Sequence, residues 1–85
     1  MDGKSGCQID LLVQTRRTAC VVEVKRRREI GREVVDEADA KIKALSLPPG
    51  VSARAALVYD GSLSPVVEAD GYFDSIVPFR RLLGL

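Results

Sequence analysis

Between Cys7 and Gln14 the chain alternates. Ile9, Leu11 and Val13 are apolar, and Gln8, Asp10, Leu12 and Gln14 fall between them. A period of two predicts a strand with one wholly apolar face. Ala19–Arg26 repeats the pattern, with Cys20, Val22 and Val24 on one face and Ala19, Val21, Glu23 and Lys25 on the other. Thr15–Thr18 joins the two and predicts a hairpin turn. Its centre, Arg16-Arg17, lacks the Gly or Asn that a two-residue primed turn favours. From Glu29 to Leu45 the period lengthens to that of a helix. Ile30, Val34, Val35, Ala38, Ile42 and Leu45 mark one side, and Glu33, Asp36, Glu37, Lys41 and Lys43 mark the wet side. Early acids and late lysines suit the helix macrodipole. Leu47-Pro48-Pro49-Gly50 ends the helix, because proline cannot continue it.

Ala53–Tyr59 is apolar on both faces, which predicts a central strand covered by helices. Asp60-Gly61-Ser62 reads as a turn and Val66–Glu68 as a short edge strand. Ile76–Phe79 leads into one or two helical turns over Phe79–Leu83. The order is ββαβ(β)α in a single domain, residues 1–85. The fold class is α/β: a small mixed sheet opened by a hairpin, with a crossover helix. If the second and third strands are parallel neighbours, that crossover is right-handed.

A chain of 85 residues buries only about 60–65% of its unfolded surface, so its stability margin is thin. A metal, a partner or a second copy can supply what the core does not. The composition, 46% hydrophobic and 29% charged, is that of an ordinary globular domain. There is no histidine, which removes His-based acid/base chemistry and His-activated nucleophiles. Hydrolysis would have to run on carboxylates, lysine and a bound ion. Two cysteines, Cys7 and Cys20, are too few for a zinc cluster, and both sit on strand patterns as buried free thiols. Apolar runs are only a few residues long, so no membrane span is expected and a cytoplasmic location is the default. Net charge is +1, but the basic residues cluster at Arg16-Arg17 and Lys25–Arg28. A local patch of this kind can bind phosphate without raising the overall charge.

In a hairpin centred between Arg16 and Arg17, opposed residues have index sum 33. Asp10 then faces Glu23, and Gln8 faces Lys25, with opposed Cβ atoms about 4.5–5.5 Å apart. The same register pairs Ile9 with Val24, Leu11 with Val22 and Val13 with Cys20. A slip of one residue would bury the charges and expose the valines, so the apolar pattern supports the pairing independently. Opposed carboxylates repel by about 0.2–1 kcal/mol. A divalent cation between them removes that cost: Mg²⁺ takes one or two carboxylates and keeps waters. Lys25, on the same face, is placed to assist the attacking water or to contact a scissile phosphate. That chemistry is metal-assisted phosphodiester hydrolysis.

Asp10, twelve intervening residues and then Glu23-Val24-Lys25 resemble the PD-(D/E)XK nuclease superfamily, over roughly residues 6–60. More narrowly, "GCQIDLLV" followed by "VVEVK" resembles the nuclease-like domain at the C-terminus of certain prokaryotic AAA-type ATPases. The resemblance implies a restriction-endonuclease-like core. It implies a metal, Mg²⁺ or Mn²⁺, held by Asp10, Glu23 and the backbone carbonyl of Val24, with Lys25 as the catalytic lysine. The superfamily has a helix before the hairpin, and only six residues precede Cys7 here, so that helix is expected to be missing. Its loss would uncover one sheet face.

The function expected is a metal-dependent DNA endonuclease domain, or its remnant. DNA is the partner, with Gln8, Arg26, Arg27 and Arg28 contacting it. A homodimer through the uncovered face or the apolar C-terminus, and an ATPase domain in a longer parent protein, are further expected partners. The alternative is a catalytically inactive DNA- or protein-binding module derived from such a domain.

Overall fold

The computed structural model describes residues 11–84, a small α/β protein with a four-stranded mixed sheet and three helices. Strands β1 (Leu11–Gln14) and β2 (Thr18–Ile30) form the hairpin. Helix α1 (Glu33–Ala44) crosses to β3 (Ser52–Leu63), and α2 (Pro65–Asp70) leads to β4 (Ser75–Pro78) and α3 (Phe79–Leu82). The sheet order is β1-β2-β3-β4. The β1–β2 pair is antiparallel, and β2–β3 and β3–β4 are parallel. Among the described residues no helix is long and apolar enough to cross a membrane.

The hairpin has the expected register: Leu11 pairs with Val22, Val13 with Cys20 and Gln14 with Ala19. The turn closes without Gly or Asn because two threonines do that work. Thr15 N donates to Thr18 O at 2.8 Å, Thr18 N donates to Thr15 Oγ1 at 3.1 Å, and the two hydroxyls lie 2.7 Å apart.

The buried face is the reverse of the one expected. Ala19, Val21 and Glu23 are buried, whereas Cys20 and Val22 are half-buried and Val24, Leu11 and Val13 are 39%, 53% and 49% exposed. The reason is α1. Its Val34, Val35 and Ala38 join Ala55 and Leu57 of β3, Val67 of α2, and Phe73 in one core. Val21 and Glu23 stand beside Ala55 and Leu57 in the parallel ladder, so they take the helix-covered face. Alternation was readable; which side the crossover helix covers is a tertiary fact. Cys20 accordingly is a free, half-buried thiol rather than a core one, and Cys7 lies outside the described residues.

β2 runs four residues beyond its expected end, through the basic run, and α1 starts at Glu33 rather than Glu29. β3 likewise continues through Asp60-Gly61-Ser62, which is strand and not a turn. Between the rungs Arg26–Asp60 and Glu29–Ser62, two residues of β2 oppose Gly61 alone. This is a β-bulge, and it resets the alternation. Val21, Glu23, Lys25 and Arg27 are odd-numbered, yet Ile30 is buried in the same core as Val34. Without the extra residue, Ile30 would lie on the face of Val22 and Val24.

Val66–Glu68 belongs to helix α2, not to a strand. Ser64 caps it, its hydroxyl accepting from Val66 N at 3.3 Å, and Pro65 follows as the first helical residue. Ser-Pro is a helix-start signal that outweighs the strand preference of two valines. The fourth strand lies instead at Ser75–Pro78, followed by the expected helical turn, α3.

Candidate functional site: a buried carboxylate between two lysines

Glu23 is completely buried, the only buried charged residue among those described. The β2 ladder holds its backbone beside Leu57, and its side chain points under α1. An ionised carboxylate taken out of water requires partners. Lys41 supplies them from the last turn of α1, its Nζ donating to both Glu23 oxygens at 2.9 Å. Lys25 Nζ stands 3.2 Å from Glu23 Oε2 and 2.6 Å from Glu37 Oε1. Glu37 in turn lies 3.5 Å from Arg27, which also reaches Glu33 at 3.5 Å. A charge network thus runs from the sheet to the helix: Lys41, Glu23, Lys25, Glu37, Arg27.

Two of these groups differ from their ordinary behaviour in water. Burial opposes the charged form of Lys25, but Glu37 and Glu23 outweigh it and raise its pKa above the usual lysine value. Lys25 is therefore an ammonium at neutral pH. It can donate hydrogen bonds and offset negative charge, and it cannot take a proton from water. Burial also opposes the charged form of Glu37, but Lys25 and Arg27 outweigh it and hold its carboxyl below the usual range.

Lys41 and Glu37 were expected on the wet side of the helix, and both instead face β2. They share a column, four residues apart, and each follows a buried position by three: Val34 before Glu37, Ala38 before Lys41. That flanking position was the available signal. It identifies the border of an apolar stripe, but only the sheet shows that Lys25 and Glu23 lie opposite that border.

The other expected site residues are distributed as follows. Asp10 and Gln8 lie outside the described residues. Val24 is the next residue of β2, paired with Val58, and its side chain points away from α1. The three arginines do not form one patch. Arg27 is drawn to α1 by Glu33 and Glu37, Arg26 lies 3.7 Å from Asp60 across the ladder, and Arg28 is exposed at the bulge. Arg16 and Arg17 are exposed at the hairpin tip.

Among the described residues no three of His, Cys, Asp and Glu converge as a metal-binding group. The donors read from the sequence are nonetheless of one kind. Glu23, the Val24 carbonyl and Asp10 are all oxygen donors, the type that hard divalent cations take, and Mg²⁺ is held by one or two carboxylates with waters. The set fits such an ion in kind. Both Glu23 oxygens, however, already carry ammonium contacts.

Away from this network, Tyr72 has a partner that the sequence did not disclose. Its hydroxyl donates to Asp39 Oδ1 at 3.2 Å, and its ring packs edge-on against Phe73. Burial, and then the Asp39 carboxylate, push its pKa up to about 12. The phenol is thus favoured more in the folded chain than in the unfolded one, where it ionises near 10. Stability from this group is complete below pH 10 and is lost as pH rises towards 12. In a Tyr59→Phe protein, absorbance at 295 nm should place the remaining phenol's midpoint near 12 while the fold persists. A midpoint near 10 in the folded protein would remove the Asp39 contact.

Comparison with protein-family models, with curated proteins and with solved structures finds no match.

Proposed function

We propose that this chain is a nuclease-like domain of PD-(D/E)XK type with a restriction-endonuclease-like core, hydrolysing DNA phosphodiesters with a divalent cation. The observation that carries the reading is Glu23: a fully buried carboxylate on the hairpin strand, two residues before an ammonium that shares its face. A purely structural role explains this poorly. Taking such charges out of water costs several kcal/mol per ion, and well-packed apolar residues of similar volume are often at least as stabilising. The observed sum of 33 in the hairpin agrees with the register that sets Asp10 against Glu23.

In this reading Glu23, Asp10 and the Val24 carbonyl hold Mg²⁺ or Mn²⁺. The ion, when bound, polarises a phosphoryl oxygen and makes a bound water more acidic. Lys25 remains an ammonium throughout. It orients the attacking water through the water's lone pair and offsets charge that builds on the phosphate. Glu37 keeps Lys25 in place and charged. Water adds to phosphorus as the ester P–O bond breaks; the proton that water releases passes to solvent, not to Lys25, and the departing ester oxygen takes a proton from solvent and leaves as the alcohol. Arg28 and the hairpin-tip arginines remain exposed to contact phosphates, which position DNA without reading its sequence.

The test is incubation with plasmid, single-stranded and branched DNA in Mn²⁺, beside Asp10→Ala. Cleavage that Asp10→Ala abolishes is the expected result. No cleavage of any substrate by the parent chain would end the catalytic reading. Cleavage unchanged in Asp10→Ala would show that Asp10 is not a ligand.

A second reading is favoured by the two lysines on Glu23. A carboxylate already neutralised suits a catalytically inactive DNA- or protein-binding module. It predicts DNA retention that falls steeply with salt, weakens in Arg26→Ala/Arg27→Ala and does not respond to metal.

A further inference from the structure

We propose that Lys41 sets the cation affinity of the Glu23 site by competing with the cation for the same carboxylate. This rests on the reading of Glu23 as a cation ligand. The two lysines around Glu23 are not equivalent. Lys25 is anchored twice, on Glu23 and on Glu37, and keeps a partner whatever happens at Glu23. Lys41 has both of its ion-pair contacts on Glu23, one to each oxygen at 2.9 Å. A carboxylate offers about four lone-pair sites, and the ammonium contacts already engage both oxygens. A cation bonded directly to Glu23 needs one of those sites, and it repels an ammonium held at hydrogen-bond distance.

Lys41 is the group able to yield. It lies in the last turn of α1, where the helix dipole favours a cation whether or not it holds Glu23. Its side chain is 15% exposed, so the ammonium has a route to water, and four methylenes let it swing there without moving the helix. In the cation-free chain Lys41 keeps Glu23 paired. On cation binding it is displaced, and its attraction for Glu23 is subtracted from the cation's affinity. Lys41 is a positioning residue in this role: it acts through Glu23 and touches no reacting atom.

The experiment is calorimetric titration of the full chain with Mn²⁺, for the parent, Lys41→Met, Lys41→Arg and Lys43→Met, with thermal melts of each. Lys41→Met should bind Mn²⁺ about tenfold more tightly or better, the scale on which groups bonded to a metal ligand move affinity. Lys41→Arg, which restores the cation, should return to the parent value. Lys43→Met, whose lysine pairs with Asp39, should not differ from the parent. A structural role alone would move the melts and leave affinity unchanged. Equal affinity in the parent and Lys41→Met overturns the competition and leaves the cation site standing. No Mn²⁺ binding in the parent or in any folded variant overturns the cation site itself, and the competition with it.

Should Lys41→Met fail to fold, the parent protein decides the question. In ¹⁵N-lysine spectra, ammonium groups held by Glu23 should exchange slowly enough to be seen. Mg²⁺ should erase one of them, and a full set of protected signals retained at saturating Mg²⁺ overturns the proposal.

Discussion

Glu23→Leu/Lys41→Met is expected to fold at least as stably as the parent chain and to lose most of the DNA cleavage proposed for it. Glu23→Leu alone leaves Lys41 facing an apolar pocket. Removing one member of a buried pair costs about 3–5 kcal/mol, and the route of Lys41 to water places this case near the lower end. Replacing both partners removes the stranded charge. Leucine at 23 would lie among Val21, Leu57 and the α1 side chains, a site that already excludes water. Lys25 keeps Glu37 and needs no rescue.

Cleavage, by contrast, should fall by at least about a hundredfold, the loss typical of deleting one charge-stabilising group. Urea unfolding and a Mn²⁺ plasmid assay on the single and double variants check both halves. A stable double variant that still cuts DNA would remove Glu23 from the chemistry. A double variant weaker than Glu23→Leu would mean that the ion cluster holds the helix to the sheet and serves stability.

Gly61→Ala is expected to cost about 3 kcal/mol or more. Gly61 has φ +131°, a backbone region that side chains rarely adopt, and strain of this kind costs about 1–3 kcal/mol by itself. A Cβ at this position would also overlap the carbonyl oxygen of Arg27, a backbone atom that cannot rotate away. A domain of this size has roughly 4–13 kcal/mol of total stability, so the variant should lose a large share of it. Gly50→Ala is the control: its φ of +86° carries strain, but nothing lies within 4 Å of the added methyl. Denaturant midpoints for the two should therefore differ clearly. Equal losses would mean that the bulge relaxes freely, and the placement of Ile30 in the core would then not depend on it.

The bulge illustrates why part of this fold was hidden. Asp-Gly-Ser is a turn signal by composition, yet here glycine serves a close approach of two strands inside a ladder. Composition cannot separate those uses, because both need the same backbone freedom. Val66–Glu68 is the opposite case. The helix-start signal Ser64-Pro65 was present in the chain, and the strand preference of two valines obscured it. The candidate site was legible where it depended on one hairpin. Glu23 and Lys25 share a face because a strand has period two, and the register follows from the apolar pairs around the turn. Glu37 and Lys41 were not legible, since each is an ordinary wet-face residue until Lys25 and Glu23 are set opposite.

The sequence by itself determined the local order: a hairpin with its register, a helix over most of residues 33–44, a strand over Ala53–Tyr59 after Pro-Pro-Gly, and an alternation along β2 that sets Glu23 and Lys25 apart from Val22 and Val24. These follow from periods of two and 3.6 and from turn chemistry, which act between neighbours in the chain. The tertiary structure alone decided which face of the hairpin α1 covers, and so that Glu23 is buried while Val24 is exposed. It also decided that Lys41 meets Glu23 across eighteen residues. Periodicity separates two faces of a strand but does not label them. The label comes from the side that the crossover helix covers, and here α1 packs with Ala55 and Leu57 of β3, on the face that carries the charges.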